Sequence, residues 1–156
     1  VSAETNRYYS YVKDWPEASW RALFERFAPT RGVRWVLLGH AATSRFDGPN
    51  VIDLRGRTGF LAMMAVIRHH CSALIAPDSG VLSSAFYLDA AFPLGVISLW
   101  SDPRQGILLQ GCTSPNPLLR HWALIGRDED VRNVGVDEVE RHLREALATS
   151  AGGEPD

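Results

Sequence analysis

Ser72-Ala73-Leu74-Ile75-Ala76-Pro77-Asp78-Ser79-Gly80-Val81-Leu82-Ser83-Ser84 passes from a short apolar run into a helical pattern with only a tight corner between them. The run over 72–76, closed by Pro77, reads as a buried strand, and 79–90 reads as a helix. A strand that turns at once into a helix is half of a βαβ unit. The same alternation continues in both directions. Upstream, 16–28 reads as an amphipathic helix with Pro16 in its first position; Trp20, Leu23, Phe24 and Phe27 recur at i, i+3, i+4 and i+7. Pro29 and Gly32 stop it, Val33 to Leu38 reads as a strand closed by Gly39, and Val51 to Leu54 as another. Gly56 to His70 places Phe60, Met63, Met64 and Ile67 at helical spacing. Downstream, Pro93 to Trp100 reads as a strand, 101–117 as a Pro/Gly/Ser-rich excursion, Leu119 to Ile125 as a strand, and Val136 to Leu147 as a helix.

Strands alternating with helices predict a doubly wound, Rossmann-like α/β fold: a mostly parallel sheet with helices on both faces. We expect one domain over 1–147 and a flexible polar tail over 148–156. Val1 to Glu4 leaves room only for a short first strand, so we expect a domain cut from a larger polypeptide that continues upstream. Folds of this class hold ligands outside the carboxyl ends of their strands. The segments to inspect are therefore 39–50, 54–58, 77–80 and 101–106.

Composition removes several classes of function. With 156 residues, 46% hydrophobic and 22% charged, the chain can bury a core without disulfides or metal staples. A net charge of -2 supplies no footprint for nucleic acid. Cys71 and Cys112 lie in no metal-spaced motif and fit a reducing compartment. No apolar run reaches the ~18 residues of a membrane span, and the stretch Val1 to Asn6 carries no leader pattern. No P-loop, GxGxxG, GxSxG or HExxH occurs, which argues against nicotinamide chemistry and zinc hydrolysis.

Among the remaining candidates, the corner at Asp78 is the strongest. Ser79 and Gly80 leave backbone N–H groups at the start of a helix, where the dipole favours an anion such as phosphate. Asp78 is placed to accept from sugar hydroxyls. The bland alternative is that Asp-Ser-Gly is a common turn and cap. Of 16 basic residues only one, Lys13, is lysine. It precedes the first helix, where an ammonium can reach a bound phosphate as a compact point charge; a solvated surface lysine is the plain alternative. Thr58, after Asp53-Leu54-Arg55-Gly56-Arg57, is expected to cap the following helix; Arg55 and Arg57 are open between anion contact and solvent. Asp102, in Ser101-Asp102-Pro103, and His40, after Gly39, lie on the same expected edge. His69 and His70 fit a helix C-terminus better than a metal site. His121 and His142 carry no assignable role.

Taken in order, these pieces resemble the carboxy-terminal domain of the bacterial heptosyltransferases, glycosyltransferase family 9. Lys13-Asp14-Trp15-Pro16 is similar to its K-x-W-P segment, and Val36-Leu37-Leu38-Gly39 to its V-L-L-G turn. Asp53 to Thr58 is similar to D-L-x-G-K-T, Pro77 to Gly80 to (N/P)-D-[ST]-G, and Trp100 to Pro103 to G-P-T-D-P. Val136 to Val139 resembles the start of its closing helix.

The resemblance implies the second half of a GT-B glycosyltransferase, which holds a nucleotide-sugar donor. It implies that Lys13 and the backbone at Ser79, Gly80 and Val81 hold the donor diphosphate, and that Asp78 binds the sugar. It implies inverting transfer to a glycan or lipid-linked acceptor in bacterial lipopolysaccharide or other surface-glycan synthesis. No cofactor and no metal is expected. The partner would be an amino-terminal GT-B domain supplying the general base, so this domain alone would be inactive. The expected location is the cytoplasm, at the inner face of the membrane through that other half. Two positions depart from the pattern: Ser83 stands where the family carries a histidine, and 40–47 has no counterpart of its acidic residue near the nucleoside. These departures keep open a second reading, a degenerate domain serving as a binding or interaction module without catalysis; a third reading is another GT-B enzyme, such as a sugar-nucleotide epimerase.

Overall fold

The computed structural model describes residues 12–40 and 44–151, with side chains through Thr149. Among the described residues five strands and five helices follow in the order α1 (Glu17–Phe27), β1 (Trp35–Leu37), β2 (Val51–Asp53), α2 (Phe60–His70), β3 (Ala73–Pro77), α3 (Gly80–Phe86), β4 (Leu94–Trp100), α4 (Gly106–Gln110), β5 (Leu119–Ile125) and α5 (Val136–Ala151). Two short 3₁₀ turns, Arg127–Glu129 and Val131–Asn133, link β5 to α5.

Every strand pairing is parallel. β1 pairs with β2, with Trp35 opposite Val51, and β3-β4-β5 form a three-stranded sheet with Ile75 opposite Ile97 and Ile97 opposite Trp122. The alternation of elements predicts a single sheet. The described residues instead form two, because β1 and β2 have three residues each and no ladder among these residues joins β1 to β3. One core nevertheless runs beneath both. Trp35 and Leu37 from β1 share a cluster with Ile75, Ile97, Leu99 and Leu124.

The doubly wound arrangement is realised by side-chain alternation. All seven residues of β4 are buried, as a central parallel strand requires. Ile97 and Leu99 point into the layer with α1 and α5, together with Trp20, Leu23, Phe27, Val139 and Leu143. Val96 and Trp100 point into the opposite layer with α2, α3 and α4, together with Ile67, Leu82, Ala85 and Ile107. Each Leu or Ile so buried contributes roughly 1.5–3 kcal/mol. α5 presses directly on β4 at Gly95, where an added Cβ would lie 2.5 Å from Cβ of Ala146.

Several elements differ from the sequence expectation: α3 ends at Phe86 rather than at Ala90, because its last turn stops at Tyr87, and α2 begins at Phe60 rather than at Gly56. Pro16 is the cap of α1 rather than its first residue. α5 continues to Ala151, four residues into the segment expected as a tail, because Ala148 and Thr149 extend a helix already packed at Leu143 and Ala146. α4 lies inside the Pro/Gly/Ser-rich excursion. It is a five-residue helix that Gly111 ends in the left-handed region, and it buries only Ile107.

Candidate functional site

The segment ahead of α1 carries Lys13 to the carboxyl end of β3. Its Nζ donates to Asp78 Oδ2 at 2.7 Å. Both side chains are largely covered, 7% and 13% exposed. The pair spans 65 positions of sequence, so tertiary structure alone creates it. It is fixed at the start of α3. There Ser79 is the cap, its Oγ accepting from the N–H of Leu82, and its carbonyl accepts from Ser83 N–H. The first N–H groups of a helix, here those of Gly80 and Val81, have no intrahelical acceptor by construction. Gly80 is exposed, and a Cβ built on it would meet nothing within 4 Å, so the backbone is open to solvent on that side. Val81 and Ser83 are half-buried on the same short helix.

α4 closes the other side of Asp78. Gly106 has φ +47°, and an added Cβ would lie 2.6 Å from Asp78 Oδ1 and 2.9 Å from the Trp100 ring. No side chain fits there. Trp100 is fully buried and donates its indole N–H to Ser98 Oγ at 2.6 Å, and that oxygen lies 2.7 Å from Nε2 of His121. His121, without an assignable role in sequence, thus belongs to the support of Trp100; burial pushes its imidazole below its ordinary range. Asp78 is therefore held from two sides, by an ammonium on Oδ2 and by glycine backbone near Oδ1.

Two further residues, not singled out from sequence, mount the Lys13 segment. Ser101, at the end of β4 and 3% exposed, donates its hydroxyl to the Val12 carbonyl and accepts from Val131 N–H at 2.9 Å. Trp15, also buried, donates from Nε1 to the Val134 carbonyl at 2.9 Å. Ser101 lies within a motif visible in sequence. Its partners, 89 and 30 positions away, do not. Gly106 had no local signal beyond its place after Asp102-Pro103.

The other expected residues stay outside this group. Thr58 does not cap α2. The helix begins at Phe60, Gly59 takes the cap position without a side-chain bond, and Thr58 Oγ1 is buried with no hydrogen-bond partner among the described residues. The helix starts late enough that Thr58 falls ahead of the cap and turns inward. Arg55 is buried and spoken for. Its guanidinium makes two bonds to Asp53, at 3.0 and 2.7 Å, one to the Ser44 carbonyl at 2.7 Å, and stands over the Phe46 ring. The Arg55 hydrogen bond holds the Asp53 carboxyl below its usual range. Arg57 is exposed, as is His40 on the turn after β1. Asp102 is paired with Arg104, at 2.8 and 3.1 Å, which likewise lowers its carboxyl, and Arg104 also reaches Glu129 at 3.0 Å. Among the described residues no helix is long and apolar enough to cross a membrane.

Parallel strands with helices on both faces define a Rossmann-like α/β domain, and the charged corner lies at its carboxyl edge. Among solved structures the chain is similar to Escherichia coli ADP-heptose LPS heptosyltransferase II, with a TM-score of 0.62 and 20% identity. The match covers 89% of this chain and 43% of that enzyme, so the chain spans less than half of the enzyme's length. No family model and no curated protein matches the chain. The likeness is one of fold, and it agrees with the doubly wound architecture and the GT-B half expected from sequence.

Proposed function

We propose that the chain is the donor-binding half of an inverting glycosyltransferase of the heptosyltransferase type, taking a nucleotide-diphosphate sugar. The observation that carries this reading is the Lys13–Asp78 pair at the start of α3, beside a Gly80 backbone open to solvent. The diphosphate lies against the N–H groups of Gly80 and Val81, with the ammonium of Lys13 beside it; Asp78 lies next to the sugar. An acceptor hydroxyl attacks the anomeric carbon, the bond to the diphosphate oxygen breaks, and the nucleoside diphosphate leaves. Ammonium and helix dipole stabilise the charge that develops on the leaving oxygen, without a metal ion. The base that takes the acceptor proton belongs to the other half of such an enzyme, and the acceptor is a glycan or lipid-linked sugar of the bacterial surface, met at the cytoplasmic side of the membrane. Ser83, a half-buried hydroxyl where a histidine is expected, favours a second reading, a degenerate domain acting as a binding or interaction module without catalysis.

The test is calorimetric titration of the protein with ADP, UDP and GDP. Binding is expected, and Lys13→Ala should weaken it by about 1–2 kcal/mol, as loss of one charge-assisted contact does. Absence of binding to all three supports the non-catalytic reading, and unchanged affinity in the variant removes Lys13 from the site.

A further inference from the structure

Lys13 is aimed by more than its carboxylate partner. The segment that bears it is tied down at two points three residues apart, Val12 and Trp15, with the lysine between them. Both ties end on the same connector, the 3₁₀ turn Val131–Asn133 and the residue after it. Ser101 hydroxyl links the Val12 carbonyl to Val131 N–H, and Trp15 donates to the Val134 carbonyl. Ser101 is buried and its hydroxyl is used in both directions, as donor and as acceptor. It also stands directly after Trp100, whose ring meets the glycine that closes on Asp78. One hydroxyl therefore couples the end of β4, the β5–α5 connector and the backbone that delivers the ammonium.

From this geometry we infer that Ser101 is a positioning residue for the phosphate-binding ammonium: its hydroxyl fixes the Lys13 backbone so that Nζ meets the anion without reorganisation. Trp15 is the second mount of the same segment. The inference rests on the reading of the Lys13 corner as a diphosphate site. Without the hydroxyl, the Val12 carbonyl and Val131 N–H lose their shared partner, and the lysine samples positions away from the anion. A serine that merely stabilised the fold would lower melting temperature and leave the coupling to Lys13 at zero.

A double-mutant cycle separates these roles. ADP affinity is measured calorimetrically for the wild type, Ser101→Ala, Lys13→Ala and the double variant, with circular dichroism to confirm folding. The expected result is a loss of about three- to tenfold for Ser101→Ala, on the scale of one hydrogen bond, and no further loss when it is added to Lys13→Ala. Ser101→Thr, which keeps the hydroxyl, should restore affinity. Trp15→Phe, which keeps the packing and removes the N–H, serves if Ser101→Ala does not fold, and should show the same dependence on Lys13. Equal losses with and without Lys13, or unchanged ADP affinity in both the Ser101 and Trp15 variants, would overturn the inference. A Lys13→Ala variant that binds ADP as the wild type does would instead remove the diphosphate site itself, and the inference with it.

Discussion

Two strand-to-helix corners on the carboxyl edge look alike in sequence and behave differently. After β2, Asp53-Leu54-Arg55-Gly56-Arg57-Thr58-Gly59 offers an acid, two arginines, a hydroxyl and two glycines. After β3, Asp78-Ser79-Gly80 offers an acid, a hydroxyl and one glycine. In the first, Asp53 and Arg55 are two positions apart and satisfy each other, and the hydroxyl turns inward, unpartnered among the described residues. In the second, the acid draws its cation from 65 positions away and the hydroxyl caps the helix. A locally closed ion pair builds a turn. A pair assembled from distant segments brings charge to a helix start whose glycine is open to solvent. The number of charged residues in the stretch does not tell the two apart; the origin of each partner does.

Four substitutions probe that contrast. Arg55→Ala should produce the largest effect, a stability loss of about 2–3 kcal/mol in urea denaturation, because it strips several charge-assisted bonds from a buried site while Asp53 remains partly hydrated. ADP affinity should not change. A parallel fall in affinity would show that the first corner also serves the ligand. Next, Ser79→Ala should cost about 1 kcal/mol for a lost cap, whereas Thr58→Val should cost nothing or raise the melting temperature, since it removes a buried hydroxyl without a partner among the described residues. Comparable losses at the two positions would erase the distinction between the corners. Smallest is a pH effect. Arg55 depresses the Asp53 carboxyl, so its contribution is complete above the ordinary value of about 3.9 and lost as pH falls through the lower folded value. In melts from about pH 5 to about pH 2.5, the stability gap between wild type and Asp53→Asn should therefore close on acidification. A constant gap would contradict the linkage.

Much of this architecture is legible before any coordinates. Trp20, Leu23 and Phe27 at helical spacing, and the unbroken apolar run of β4, leave few alternatives, because period and continuity report directly on burial. Lys13 stands out in the sequence for another reason, its rarity in an arginine-rich chain. What stayed hidden depends on partners far away in sequence. Ser101 is an ordinary turn residue until Val12 and Val131 arrive, and Gly106 has no meaning until Asp78 and Trp100 stand against it. α4 was hidden because a five-residue helix burying one side chain has no periodicity to read. Thr58 misled because capping preference names a residue type, while the register of the helix start is decided by how α2 packs through Met64 and Ile67.

The contact of Gly106 with both Asp78 and Trp100 also bears on how such a protein can diverge. A methyl at position 106 would need a retreating acid and a smaller ring. Position 106 is therefore locked as glycine for as long as the acid and the ring keep their places, and it can be released only after they shrink or move. In any set of descendants, a side chain at 106 should occur only where the acid at 78 and the indole at 100 have already given way.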